Sequence, residues 1–352
     1  MPRPDSLPPP PRLQDLSPQA ARLCLNVRRF CLRQLRLKPY SRLLLALSGG
    51  ADSTALAVIL HVLTPGLGLN LRGMSLNHGL RPEAAQDQAH ALNLCRVLGI
   101  PCSARAADVA AMAQREGLGL EDAGRRLRYA LLEEERQEHK ADHIVLGHHA
   151  ADLSEDVLLR LVRGTGWPAL GGMPARDDKR HILRPLLAVE PQALKALLTE
   201  CGIGWRTDAS NEDKKFRRNR LRLDALPLLR AENPSLEKSV HTLWQLARID
   251  QDYWDSLLDS RLAEHPWQAD PDGASLTLPA PLLRGLHPAA RLRLYMRVLR
   301  RHASGKGQAR AQTLLALDQA LEQGRGNTRF QLPGGTEALL AGGSIRFCLR
   351  KN

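Results

Sequence analysis

The segment Leu43-Leu44-Leu45-Ala46-Leu47-Ser48-Gly49-Gly50-Ala51-Asp52-Ser53-Thr54 joins an apolar run to a helix start through two glycines. Such a turn lets backbone N–H groups approach an anion, and the positive end of the following helix dipole lies behind it. Ser48, Gly49, Gly50 and Ser53 therefore read as a phosphate cradle. No Gly-Lys-Ser/Thr follows, so this is not the loop with which kinases and GTPases reach a γ-phosphate. Asp52 would repel phosphate unless Mg²⁺ bridged the two, which makes it the metal-ligand candidate. The plain alternative is a tight turn with Asp52 as an ordinary N-terminal helix charge.

Further chemistry is suggested downstream. His148, Asp152 and Glu155 fall at i, i+4 and i+7, one stripe of a helix, where two carboxylates beside an imidazole could hold an ammonium such as that of lysine. A solvated acidic face, with Asp156 pairing to Arg160, is the competing reading. Arg128 lies on a helix with no carboxylate three or four residues away, so its guanidinium is available to clamp a phosphate or a developing oxyanion. Lys214, Lys215, Arg217, Arg218, Arg220 and Arg222 place six positive charges in nine residues around Asn219, a composition suited to RNA phosphates. Arg293, Arg297, Arg300 and Arg301 share one side of a later helix whose apolar stripe is Leu292, Met296 and Leu299, and such a basic face suits an A-form backbone.

The elements that must position these groups can be read from periodicity. Short apolar runs at Leu43–Leu47, Gly73–Asn77, Cys102–Ala106 and His143–Leu146 alternate with helical stretches near 53–63, 83–98, 121–139 and 152–163. That alternation predicts an α/β domain with a doubly wound, mostly parallel sheet, whose ligands sit at the carboxyl ends of its strands. The loops beginning at Ser48, Asn77, Ala106 and Gly147 are then the ones that face a substrate. A helix over 191–200 and a polar, basic stretch over 206–224 follow, and Asn233-Pro234 marks a boundary. Helices near 236–262, 287–302 and 308–322, then strands at Thr328–Leu332 and Ser344–Leu349 around Pro333-Gly334-Gly335, predict a smaller, mainly helical C-terminal domain with a terminal hairpin. The expected organisation is a Pro-rich disordered tail (1–18), a catalytic nucleotide-binding domain (19–235) and an RNA-binding domain (236–352).

The net charge of the 352-residue chain is +13, with a pI near 10.0, which calls for an acidic partner. The excess is uneven: +6 over residues 1–40, +2 over 41–235 and +5 over 236–352. Six cysteines without a C-x-x-C pair spell out neither a zinc knuckle nor an iron-sulfur ligand set. With no long apolar run and no apolar core to the N-terminal segment, a cytoplasmic protein that does not cross a membrane is expected.

The Ser48–Ser53 string resembles the signature of the PP-loop ATP pyrophosphatases, whose fold is that of the adenine nucleotide alpha hydrolases. These enzymes split ATP between its α- and β-phosphates. The likeness extends to one family among them, the tRNA(Ile)-lysidine synthetases, through Ser75–Arg81, Glu121–Tyr129, Gly147–Glu155, Arg163–Gly166, Arg184–Leu186, Trp205–Asn211 and Arg218–Arg222, in that order. The resemblance implies ligation of free L-lysine to the wobble cytidine of the isoleucine tRNA with a CAU anticodon, through an adenylated cytidine, changing the codon read from AUG to AUA. It implies ATP and Mg²⁺ as cofactors, with Asn77 and His78 flanking the nucleotide and Asp152 and Glu155 recognising lysine. Asp52, Arg128 and Asp152 become the catalytic candidates, and Arg217, Arg218, Asn219, Arg220, Arg222, Arg293 and Arg297 the tRNA contacts. The chain departs from the family at Ala151, where an acid or Asn is common. A sulfur transferase acting on 2-thiocytidine is the rival within the superfamily, and the missing C-x-x-C argues against it. The oligomeric state stays open, a homodimer included.

Overall fold

A computed structural model describes residues 8–77, 79, 84–207, 213–215, 217–271, 274–302, 311–332 and 335–349. These form two compact units, Met1–Leu159 with Gly172–Thr242 and Arg160–Gly171 with Leu243–Asn352.

The first unit is built on strands β1 (Arg42–Leu47), β2 (Asn70–Asn77), β3 (Cys102–Ala106), β4 (His143–Val145), β5 (Arg176–Asp177) and β6 (Ile182–Leu183). They lie in the order β3-β2-β1-β4-β6-β5, parallel except for the β5–β6 edge. β1 sits at the centre, and its leucines at 43, 44, 45 and 47 are buried, as expected of a strand covered on both faces. The helices of this unit begin with α1 (Pro18–Arg33), α2 (Ala51–Leu67), α3 (Ala84–Val97), α4 (Val109–Glu116), α5 (Leu120–Glu138), α6 (Ala150–Val162) and α7 (Pro191–Glu200). From β1 the chain steps outward through β2 to β3, then returns to place β4 on the other side of β1. That reversal opens a crevice at the carboxyl ends of β1 and β4, where open α/β sheets bind ligands. The doubly wound, mostly parallel sheet read from the sequence is the fold observed.

After α7, the stretch left without regular structure in the sequence reading contains a helix. α8 (Arg217–Arg220) runs through a π-helical turn at Leu221–Ala225 into α9 (Leu226–Glu232). π-turns of this kind recur at functional sites. The N-terminal segment also differs from the expected tail once it enters the described residues. Leu13–Asp15 forms a 3₁₀ turn, and Ser17 caps α1 while its N–H and Oγ donate to the Glu200 carboxylate at 2.7 Å each.

The division between the units falls inside α10 (Leu236–Glu264), between Thr242 and Leu243, whereas the sequence reading put a boundary just ahead of that helix. The second unit adds β7 (Gln268–Ala269), β8 (Ser275–Leu278), α11 (Ala280–Leu283), α12 (Pro288–His302), α13 (Ala311–Glu322), β9 (Thr328–Leu332), β10 (Thr336–Ala341) and β11 (Ser344–Leu349). Its five strands form an antiparallel sheet in the order β7-β8-β11-β10-β9. Leu276, Leu294, Tyr295, Leu317, Ile345 and Phe347 are central to the core between sheet and helices. The expected hairpin is thus a three-stranded meander: β10, rich in Ala, Leu and Glu, carries no local strand signal and is set by its two neighbours. Among the described residues no helix is long and apolar enough to cross a membrane.

Candidate active site

The loop after β1 is held from two sides. Gly49 has φ +80°, and a Cβ placed there would lie 2.8 Å from the backbone oxygen of Asp87, so the position demands glycine. The Arg206 N–H donates to the Gly49 carbonyl at 2.9 Å, while its guanidinium donates to Asp87 (3.0 Å) and Gln86 (3.0 Å). Arg206 therefore fastens the loop to α3. Inside the turn, Ser53 Oγ donates to the Gly50 carbonyl (3.1 Å) and accepts from the Ser48 N–H (3.2 Å). The N-terminus of α2 starts at Gly50, its N-cap, which leaves first-turn amides facing the crevice.

The β4–α6 loop closes on this N-terminus. A Cβ at Gly147 would approach the backbone of Asp52 and Ser53 to 3.1–3.2 Å. This brings His149 between two carboxylates, with Nε2 3.5 Å from Asp52 Oδ2 and Nδ1 3.4 Å from Asp152 Oδ2. Burial would lower the pKa of His149, but the contact with Asp52 and the charges of Asp152 and Glu155 outweigh it and raise the pKa. Sequence reasoning passed over His149 in favour of His148; the i, i+3 spacing of His149 to Asp152 across a helix start was the available signal. Asp52 keeps 42% of its side chain exposed, so one carboxylate in the crevice can still meet an ion or an amine.

Asp152 and Glu155 are brought together as expected, but they meet arginines. Arg218 donates to Asp152 Oδ1 at 2.7 Å and to Glu155 Oε2 at 2.6 Å, and Arg222 donates to both oxygens of Glu155 at 2.5 and 3.0 Å. The His149 N–H adds a bond to Asp152 Oδ2 at 3.0 Å. Burial alone would raise the pKa of Asp152, but the charges of His149 and Arg218 and the His149 N–H hold it below the usual carboxylate range. His148 is different from the expectation of an ammonium ligand. Arg184, itself buried, donates to its Nδ1 at 3.2 Å, and burial with nearby arginines pushes its pKa down to about 3. A neutral imidazole with its acceptor nitrogen occupied can donate through Nε2 but cannot accept from an ammonium. Ala151, the departure from the family pattern, is buried at the start of α6.

A family model described as a PP-loop domain matches residues 23–229. Over 315 residues the chain is 48% identical to the tRNA(Ile)-lysidine synthase of Nitratidesulfovibrio vulgaris, covering 86% of this chain and 90% of that protein. The chain belongs to the tRNA(Ile)-lysidine synthase family. Members from Geobacter sulfurreducens and Thermus thermophilus are each 35% identical, over 82% and 91% of this chain, and the chain spans only 60% and 59% of their lengths. A solved structure, the U34-tRNA thiolase NcsA of Methanococcus maripaludis, shares the fold at a TM-score of 0.54 and 17% identity, over 65% of this chain and 79% of that one.

Against this member of the tRNA(Ile)-lysidine synthase family, the remaining sequence candidates divide. Asn77 ends β2, its Oδ1 accepting from the Gly79 N–H at 2.9 Å, while His78 lies outside the described residues. Arg128 is exposed on α5; crowding by the surrounding protein, with the cations Arg125 and Arg218 nearby, lowers its pKa without discharging it. The basic run read as a phosphate-binding surface is broken up. Arg218 and Arg222 turn inward to the carboxylates, the buried Asn219 donates to the Asp213 carbonyl, and Arg220 donates to the carbonyls of Lys214 and Lys215. Arg217 stays exposed. In the second unit Arg293 lies over the Trp254 ring at 4.1 Å and Arg297 pairs with Asp259 at 2.5 Å, so both pack against α10. Of the stripe read from the sequence, Leu299 is buried and Leu292 and Met296 pack partly buried against the core. The stripe is wider than read, with Ala290, Arg291, Leu294, Tyr295 and Val298 also buried and Arg291 paired with Asp318.

Proposed function

We propose that this chain, acting in the cytoplasm, ligates free lysine to C2 of the wobble cytidine of the CAU-anticodon isoleucine tRNA. The observation that carries the reading is His149, which links the exposed carboxylate of the nucleotide loop to the buried carboxylate of α6 within one crevice. ATP is bound by Ser48–Ser53 and the first turn of α2, with Asn77 at the neighbouring strand end. Asp52 would hold Mg²⁺, which when bound neutralises phosphate charge. The fit rests on Asp52 being the accessible acid beside an anion-binding helix terminus. The cytidine, unstacked from the anticodon loop, presents its C2 oxygen to the α-phosphate, and pyrophosphate leaves. The lysine ε-amine then attacks C2, and AMP departs with the former carbonyl oxygen.

Two roles follow from partners and exposure. Glu155 is 2% exposed at its side chain and saturated by Arg218 and Arg222, so it positions these arginines. The amine is received in the crevice between Asp52 and Asp152, and a carboxylate of the crevice takes its proton. Arg128, exposed on α5, meets the developing negative charge on phosphate. A half-reaction tests the reading: release of pyrophosphate from ATP with the cognate tRNA transcript and no lysine. A burst near one equivalent, converted to steady turnover by added lysine, is expected. Pyrophosphate release indifferent to RNA, or turnover driven by a sulfur donor in place of lysine, overturns it.

A further inference from the structure

At the pole of the parallel sheet opposite the Ser48–Ser53 loop, the turns that enter β1, β4 and β6 border an open cavity of about 1090 Å³. Its wall carries five cations, Arg36, Lys38, Arg136, Lys140 and Arg176, against two anions, Asp142 and Asp178, a net charge of +3 before His143 or His181 is counted. Two of the cations are committed. Arg136 pairs with Glu133 at 2.6 Å, and Arg176 donates to Asp178 and to the Leu35 carbonyl at 2.7 Å each. Asp142 accepts from the Arg42 N–H at 2.7 Å. Arg36, Lys38 and Lys140 are exposed and form no ion pair among the described residues.

Two further observations mark the cavity. His143 Nδ1, at the first residue of β4, is buried with no hydrogen-bond partner among the described residues. Of the five non-glycine residues at positive φ among the described residues, four line this wall: Arg36 (50°), Tyr40 (62°), Lys140 (52°) and His181 (53°). At Lys140 this is the left-handed cap of α5, closed by the Lys140 and Ala141 N–H groups on the Gln137 and Arg136 carbonyls; glycine or asparagine suits that conformation best, yet long basic or ring side chains occupy all four positions. Tyr40, 81% exposed, adds a ring face beside the cations.

We propose that this cavity is a second phosphate site, separate from the nucleotide loop, in which Arg36, Lys38 and Lys140 converge from two turns on phosphate oxyanions. Point-charge ammonium groups and a guanidinium fork are the donors that phosphate takes. Two sources share the chemistry, the backbone of an RNA and a free polyphosphate. The inference stands apart from the lysine-ligation reading, since neither lysine nor turnover enters its test.

The test titrates the full chain, its nucleotide loop saturated with a non-hydrolysable ATP analogue and Mg²⁺, with tripolyphosphate, and separately with a tRNA transcript over a salt series. Lys38→Gln/Lys140→Asn removes two exposed charges and gives position 140 a residue that tolerates positive φ, and Arg36→Asn is an independent second variant. A loss of affinity of at least about tenfold for tripolyphosphate, at a thermal midpoint no lower than that of the wild type, assigns the site to a free polyphosphate. A loss confined to tRNA in the double variant, with the log-log salt slope reduced by about 2, assigns it to an RNA backbone. Equal affinity of wild type and both variants for both probes, or no binding of either probe by the wild type, overturns the proposal.

Discussion

Gly49 and His148 carry consequences that single substitutions can read. A methyl group at Gly49 would collide with the Asp87 backbone at 2.8 Å and force a side chain into φ +80°. Gly49→Ala should therefore weaken ATP binding at least about tenfold by calorimetry, with little change in the far-UV spectrum. His148 stays neutral in the fold to about pH 3, whereas in the unfolded chain it takes up a proton near pH 6.5. Its contribution leaves stability unchanged above that value and reduces it as pH falls below, because the unfolded state then binds the extra proton. His148→Gln should flatten the loss of denaturation free energy between about pH 6.5 and 4.5; an unaltered profile would contradict the assignment. His149 has the opposite sign. Its raised pKa makes its stabilising charge present below the ordinary histidine range and lost as pH rises through the folded value.

The elements were legible where burial speaks locally. β3 and α7 match the sequence reading residue for residue, β1 and β2 extend it by up to three residues, and α6 starts two residues before it and ends one before it, because a buried strand and an amphipathic helix each write their period into the chain. β10 and the α8–α9 helix were not legible, because pairing partners or long-range ion pairs decide them, whereas α4, bounded by the Asp108 cap and Gly117, carried local signals that the reading passed over. The site divides the same way. The Ser48–Ser53 cradle announced itself through glycines and a helix start, but Arg218 and Arg222 lie more than sixty residues from the acids they hold, and composition read them as solvent-facing. Cutting that link has a cost. Glu155→Ala leaves two partly buried guanidinium groups without their carboxylate and should destabilise the first unit by about 2 kcal/mol, measured by urea unfolding. In the second unit Asp318 is the equivalent keystone. Arg291 donates to both its oxygens (2.7 and 2.8 Å), and the Tyr295 hydroxyl donates at 2.9 Å, all of it buried beneath α12 and α13. Asp318→Ala leaves the buried Arg291 with Glu322 as its remaining carboxylate and should cost about 3 kcal/mol, while replacement of the pair by apolar residues should cost far less.

At the scale of the whole chain, the net charge of +13 is not one surface. Arg218 and Arg222 are spent on Asp152 and Glu155, Arg291 on Asp318 and Glu322, and Arg297 on Asp259. Each of these pairs sets a cation against an anion already counted, so the excess is not reduced but redistributed, and it includes the cluster at the amino ends of the strands. We propose above all that one crevice joins an activated nucleotide to an amine. ATP-dependent transfer of labelled lysine to the CAU-anticodon isoleucine tRNA tests this most directly, with wild type, Asp52→Ala and Asp152→Asn side by side. Stable label on the RNA is expected with the wild type, its loss in Asp52→Ala, and a raised lysine requirement in Asp152→Asn with pyrophosphate release retained. No label with the wild type, or full labelling by Asp52→Ala, would contradict it.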